Sequence, residues 1–509
     1  MRNHRMVMAL SLCACTSFGP GSGWLMDTAM AAGEPKKFEV DLDRATHLNL
    51  PTLKFELKAT VFRTPDSKEG WVLKIPGDRP IATPAYWDGM IFVGGGYGSH
   101  EFYAFDAESG RLIWQYHTKD DGPTAAVVED GFCVFNTESC TVYVLDAKSG
   151  KLVWQQWLGD PLMSQPAVAN GRLFISYPGG GPAHPILNHE GTVATKKASP
   201  PGHRLLCADL RTGEHIWDQP ISADVISAPV VDVDKVYLTC FDGTSYCYQT
   251  RDGKLAWKRE NAGTSAPIVA QGQVIVTQKK TVNKSVYEGL ARLPEPIKNS
   301  TAASHAAPAA LPPPPVAIAV PTPAPYLASG KSSGLSVAAQ STLDSAVGFM
   351  SAPPAAEMEK AKKNVGVGTV AGGWAFQGSR AAYKHGAFMN AQGPMVQSYG
   401  GGAGSAQWQA DFRGRDVAAN SQVFSPPALG QQNMYLTSTS GHLVSMAQKD
   451  GRVNFMYAMS QPMTFQPALA RGNVYMGTSN GLVICIKTGG KDADGWSAWG
   501  GNAQHNKKD

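Results

Sequence analysis

Charge is scarce in this chain of 509 residues: Asp, Glu, Lys and Arg make up 17% of it, against about 25% in ordinary globular proteins. The 45 basic and 41 acidic side chains nearly cancel, to a formal net charge of +4, and form no Lys/Arg cluster, so nucleic acid is not indicated as a partner. Long apolar runs are missing too. Beyond the first thirty residues no stretch reaches the roughly 18 apolar residues of a membrane-spanning helix. C-x-x-C and C-x-x-C-H spacings are absent, which removes the usual signs of a zinc ribbon and of attached c-type haem. The 54 Gly and 35 Pro favour turns over long helices and disfavour a coiled coil or helical bundle. The length fits about three ordinary domains or one closed β architecture.

Residues 1–32 read as an export signal: Arg2 and Arg5 are basic, Met6 to Ala14 form an apolar run too short to span a bilayer, and small residues follow. Two cleavage readings compete. One cuts after the small-residue stretch Ala29-Met30-Ala31-Ala32. The other is Leu12-Cys13-Ala14-Cys15, which resembles a bacterial lipobox with Cys15 as the lipidated residue, followed by the tether-like Thr16 to Gly23. Either reading places the mature chain in the periplasm, free in the first case and lipid-anchored to the outer membrane in the second, with no membrane span.

Six cysteines remain in the body of the chain. Cys133 and Cys140 flank an apparent hairpin turn, as do Cys240 and Cys247, whereas Cys207 and Cys485 stand apart. An oxidising compartment permits hairpin disulfides, but cross-strand geometry is demanding, and buried thiols in strands are the competing reading.

The internal repeats decide the architecture. Tyr103-Ala-Phe-Asp-Ala-Glu-Ser-Gly110-Arg-Leu-Ile-Trp114 recurs as Tyr143-Val-Leu-Asp-Ala-Lys-Ser-Gly150-Lys-Leu-Val-Trp154 and as Leu206-Cys-Ala-Asp-Leu-Arg-Thr-Gly213-Glu-His-Ile-Trp217. Weaker copies end at Gly253/Trp257, Gly404/Trp408 and Gly451/Phe455. Each is a strand, a polar turn closed by Gly, and a second strand carrying an aromatic four residues after that Gly. A second element, a strand, polar turn and strand upstream of these hairpins, occurs eight times, anchored at Pro84, Ala126, Pro166, Pro229, Pro267, Ala381, Pro427 and Pro467, with spacings of 42, 40, 63, 38, 114, 46 and 40 residues. Four short strands per ~40 residues, eight times over, predict an all-β, eight-bladed β-propeller of four-stranded antiparallel blades. Asp106, Asp146 and Asp209 recur at one place in the hairpin, which suits turn capping rather than catalysis.

The expected layout is an N-terminal extension over 33–68, blades 1–5 over 69–296, an insertion over 297–364, the end of blade 5 with blades 6–8 over 365–500, and a tail over 501–509. Blade 8 lacks an outer strand of its own, since no aromatic follows Gly489 or Gly490 at the repeat spacing. Glu69-Gly-Trp-Val-Leu-Lys-Ile-Pro76 is assigned to complete it and close the ring. Residues 301–360 hold 16 Ala and 10 Pro, including Leu311-Pro-Pro-Pro-Pro315, and are expected to be a disordered excursion, with Val365 to Phe376 returning as the last strand of blade 5. The other long gap, Pro178 to His203, is expected to be a surface loop. It carries His184, His189 and His203, either as a solvated loop or as a metal site.

The Leu-Asp-Ala-x-x-Gly-x-x-x-Trp signature resembles the pyrroloquinoline-quinone-like β-propeller repeat over about residues 70 to 500, and the terminal Trp499-Gly-Gly-Asn-Ala-Gln-His-Asn506 resembles a segment common in such propellers. That family includes quinoprotein dehydrogenases and a non-enzymatic propeller lipoprotein of the outer-membrane assembly machine. The resemblance to the dehydrogenases would imply quinone, Ca²⁺ and an Asp base, and an adjacent cysteine pair that this sequence lacks. The expectation is therefore a non-enzymatic scaffold without cofactor, metal or catalytic residue, meeting envelope proteins through its loops. A quinoprotein dehydrogenase and a ligand- or polysaccharide-binding propeller are the alternatives.

Overall fold

Six of the eight repeats open with a three-residue strand whose hairpin turns on two successive residues at positive φ. Examples are Asp88 (φ 45) with Gly89 (φ 80), and Arg471 (φ 50) with Gly472 (φ 81). Two such residues make a type I′ turn, whose twist matches that of the flanking strands. Blade 1 runs through Ala85–Trp87, Met90–Gly94, Glu101–Asp106 and Leu112–His117, each strand antiparallel to the one before. The same order builds blade 2 from Val127–Glu129 to Leu152–Trp157, blade 3 from Ala167–Ala169 to His215–Pro220, and blade 4 from Val230–Asp232 to Leu255–Arg259. Blade 6 runs from Ala382–Lys384 to Ala406–Arg413 and blade 7 from Ala428–Leu429 to Val453–Ala458.

This computed structural model describes residues 35–138, 141–159, 164–180, 185–195, 200–282, 285–293, 370–371, 376–377, 380–400, 406–415 and 424–507. The export signal, Cys15 and the Ala/Pro-rich insertion fall outside them. Blade 5 has three strands among the described residues: Ile268–Ala270, Gln273–Val282 and Ser285–Leu293. The expected fourth, Val365 to Phe376, lies mostly outside them, and the short strands described there, Val370–Ala371 and Phe376–Gln377, pair with each other.

The eight blades form one ring. Innermost strands of neighbouring blades touch, and between blades 4 and 5 Tyr237 and Trp257 pack against Val269 and Val276. Because each blade is covered on both faces, its middle strands read as almost continuous buried apolar runs, such as Phe102 to Phe105 and Val142 to Leu145. Blade 8 has three strands of its own, Ala468–Ala470, Asn473–Gly477 and Leu482–Lys487, and takes Glu69–Lys74 as its outer strand, with Cys485 opposite Trp71.

Two segments expected to be peripheral are paired into the ring. Lys36–Asp41 runs parallel to the outer strand of blade 6, Thr46–His47 parallel to that of blade 7, and Thr60–Arg63 antiparallel to the closing strand of blade 8. The extension thus covers three successive blade edges in ring order. The gap expected as a loop contains a hairpin, Pro185–Asn188 with Gly191–Thr195, which joins the outer edge of blade 2 through Gln155 and Leu187. In both places an outer strand left open after four-strand pairing offers N–H and C=O groups that an extended segment can satisfy.

Candidate functional site

The repeat residues meet between blades. In strand four of blades 1, 2, 3 and 6 the tryptophan crosses to the next blade, where its indole lies on the turn glycine and its Nε1 donates to the carbonyl three residues before that glycine. Trp114 donates to Ala147 (2.9 Å), Trp154 to Leu210 (2.8 Å), Trp217 to Thr250 (2.8 Å) and Trp408 to Gln448 (3.0 Å). Trp71 of the closing strand does the same to Ala107 of blade 1 at 3.2 Å. A Cβ on Gly110, Gly150, Gly213, Gly253 or Gly451 would stand 2.6–2.9 Å from the indole of the preceding blade, and all five have φ between +69 and +74. Only glycine meets both demands. Trp257 is buried against blade 5, and Gly404 lies outside the described residues.

The repeated aspartates cap the same turns. Asp106 Oδ1 accepts from the backbone N–H and hydroxyl of Ser109, Asp146 Oδ1 from those of Ser149, and Asp209 Oδ1 from the backbone N–H groups of Arg211 and Thr212. Cys133, Cys207, Cys240, Cys247 and Cys485 are buried free thiols, so Cys240 and Cys247 form no hairpin disulfide, and Cys140 lies outside the described residues. Burial pushes the Cys207 thiol up to about 12. His189 sits at the tip of the added hairpin and His203 in a strand of blade 3, while His184 lies outside the described residues.

At the axis, where propeller enzymes hold a cofactor, the chain has placed its own residues 496–507. Leu469 of blade 8 and Tyr86 of blade 1 donate their backbone N–H to the carbonyls of Trp496 and Ser497. Val168 of blade 3 and Val231 of blade 4 donate to Ala503 and Gln504, and Val269 of blade 5 donates to Asn506 Oδ1 at 3.0 Å. Each donor is the middle residue of an innermost strand. The segment therefore winds along the inner edges of the blades in ring order, satisfying backbone groups that would otherwise face the channel. Trp499, His505 and Asn506 are all buried. His505 faces the carbonyls of Trp499 (2.7 Å) and Pro166 (2.8 Å) with its two ring nitrogens, yet loss of solvent pushes its pKa down to about 4, aided by nearby Arg380. Arg380 is itself buried and donates Nη2 to the carbonyls of Pro267 and His505.

The space among these residues is too small for a quinone cofactor. A three-ring ligand occupies a pocket of some hundreds of Å³. The space left beside Arg380, Trp496 and Trp499 is about 10 Å³, room for one atom the size of a water oxygen.

Outside the ring, the Thr64–Lys68 turn before the closing strand clasps blade 7. Asp66 accepts from the hydroxyls of Tyr457 and Thr64 (both 2.6 Å), and Lys68 pairs with Asp66 while its ammonium sits 4.9 Å from the Phe455 ring centre. No helix among the described residues is long and apolar enough to cross a membrane.

The family profile described as "Outer membrane protein assembly factor BamB" matches residues 98–193, 177–290 and 361–500. A curated relative of the same description, from Nitrosomonas eutropha, is 23% identical over 205 residues, 38% of this chain and 44% of that protein; the chain thus matches less than half of that relative's length. Among solved structures, BamB from Moraxella catarrhalis superposes over 84% of this chain and 98% of its own with a TM-score of 0.45 at 12% identity. The computationally designed Ika8 protein covers 81% and 98% with a TM-score of 0.50 at 11% identity, a likeness of fold alone. With the profile covering more than half of its residues, the chain belongs to the family of the outer-membrane protein assembly factor BamB.

Proposed function

We propose that the chain is an exported, non-enzymatic propeller that serves as a protein-interaction scaffold in the bacterial envelope, in the assembly of outer-membrane proteins. The observation that carries this reading is the filled axis: residues 496–507 take up the hydrogen-bonding edges of the innermost strands, so the loops and outer blade edges are what the molecule offers to others. Its membership in the assembly-factor family supports the same reading. The chain is held in the periplasm, at the outer membrane if Cys15 is lipidated, and the Pro tract at 312–315 is a further contact for partners. Affinity purification of the tagged full-length chain from cross-linked envelopes tests this. The expected result is co-purification of outer-membrane assembly proteins, together with a mature N-terminus whose mass reports cleavage before Cys15 or after the stretch at 29–32. Recovery of an alcohol-oxidising activity with quinone and Ca²⁺ would overturn it.

A further inference from the structure

Among the described residues, the filled axis contains a charge without a counter-ion. Arg380 is 5% exposed, and it donates to two neutral carbonyls, those of Pro267 and His505. No ion pair neutralises it among the described residues. Taking a guanidinium out of water costs several kcal/mol unless an opposite charge replaces the solvent. Burial alone holds Arg380 down at about 9, the direction of a cation without an anionic neighbour.

The same place carries orphaned donors. Among the described residues, Arg380 Nε, Trp496 Nε1 and Trp499 Nε1 are buried N–H groups with no hydrogen-bond partner, although Trp496 and Trp499 are only 3% and 1% exposed. All three residues line the small cavity of about 10 Å³, with Gln466, Gly500 and Lys507 on other sides and no carboxylate in its wall. The guanidinium lies 5.2 Å from the Trp499 ring centre, which fixes it at the cavity edge, and Gly500 leaves the room it needs: a Cβ there would meet Arg380 Nη1 at 2.5 Å. Gln466 is turned away from the role of counter-charge, accepting from the Gly500 N–H at 3.0 Å and donating to the Pro427 carbonyl at 2.9 Å.

Ile268, Ala381, Ala382, Tyr383 and Pro426 complete the wall, so the orphaned polar groups beside the cavity are N–H donors next to the cations Arg380 and Lys507, a set that favours an occupant that only accepts. Its size admits one monatomic species and excludes phosphate, sulfate and organic carboxylates. Water fits by volume, but it supplies no charge and needs acceptors for its own two protons.

We propose that the Arg380–Trp496–Trp499 pocket is a buried halide site, chloride in the cell, whose anion neutralises Arg380 and locks residues 496–507 into the propeller axis. Crystals of the full chain soaked in bromide test occupancy through bromine anomalous scattering. The expected result is a peak within hydrogen-bond reach of Arg380 Nε and the indole nitrogens. Thermal unfolding in chloride, with gluconate holding the ionic strength constant, tests the lock: the midpoint should climb and saturate as chloride rises. In the neutral variant Arg380→Met the rise should vanish. If that variant does not fold, the wild-type chloride series and the bromide map still decide. Ordinary water at the site with a midpoint indifferent to chloride overturns the proposal, as does a bromide peak without any chloride dependence of stability, which would mark an adventitious ion only.

Discussion

If Glu69–Lys74 closes the ring, Trp71→Ala should cost as much as the loss of a tryptophan from the interior of the repeat array. Trp71 is 1% exposed and covers the turn of blade 1, while its own strand pairs with Leu482–Lys487 of blade 8 at the other end of the sequence. Truncating a buried Trp to Ala costs about 3–5 kcal/mol, mostly burial lost plus the cavity left behind. The lost hydrogen bond adds little, because Ala107 O keeps the Tyr475 hydroxyl as a donor at 3.2 Å. Trp114→Ala is the internal standard: it removes the indole donor of the Ala147 carbonyl and should cost about 1 kcal/mol more. A second substitution isolates the docking geometry. Gly110→Ala places a Cβ 2.9 Å from the Trp71 ring and 2.7 Å from Ala59 Cβ, at φ +69. The left-handed conformation alone costs about 1–2 kcal/mol in any background, whereas the clash with the indole disappears once Trp71 is alanine. The double variant should therefore be less destabilised than the sum of the singles, by about 1 kcal/mol or more. Urea denaturation of the four proteins reads this directly. A Trp71→Ala cost below about 1 kcal/mol, or strict additivity with Gly110→Ala, would refute the assignment of this strand as the closure.

Three further outcomes are expected. His505 has its folded pKa lowered from 6.5 to about 4, so the unfolded chain takes up the proton first on acidification. Its contribution is complete above about pH 6.5 and is lost as pH falls to 4, by up to roughly 3 kcal/mol; His505→Gln should flatten that part of the stability profile, and an unchanged slope would contradict the buried neutral imidazole. The thiols of Cys133, Cys207, Cys240 and Cys485 are buried with raised pKa values, so iodoacetamide at pH 8 should label them only after unfolding, as mass spectrometry would show. Replacing 297–362 by a short Gly/Ser linker should leave the melting temperature nearly unchanged, because loop-closure entropy grows only slowly with length; a large drop would make the segment part of the ring.

What was legible in the sequence follows the range of each interaction. The Gly–x–x–x–Trp hairpins could be read because one local segment must meet two demands, a positive φ at Gly150 and a ring at Trp154, and repeats them at a constant period. The closing strand could be read by elimination, since blade 8 lacked an outer strand and Glu69 to Pro76 had no hairpin before it. That Trp71 docks like the others was not foreseen, although its ring is the obvious candidate. The extension over 36–63 was missed because pairing Phe38 with Ala410 is a contact between segments some 370 residues apart, set by an open blade edge rather than by local pattern. Alternation in Lys36-Lys-Phe-Glu-Val-Asp41 was the available signal. The axial segment was read as a tail for a similar reason. Its Trp499, His505 and Asn506 find partners on several blades at once, and only the closed ring brings those partners together. Nothing in the sequence marked Arg380 as buried.

The central claim is that the molecule works by supporting outer-membrane protein assembly rather than by catalysis, and depletion of the chain in its own cells tests it most directly. Quantitative mass spectrometry of outer membranes after depletion should show folded β-barrel proteins falling while inner-membrane proteins hold steady, with restoration by the full chain and not by a Trp71→Ala, Trp154→Ala double variant that loses the ring. Unchanged barrel levels on depletion, with loss instead of a quinone-dependent oxidation, would contradict the account.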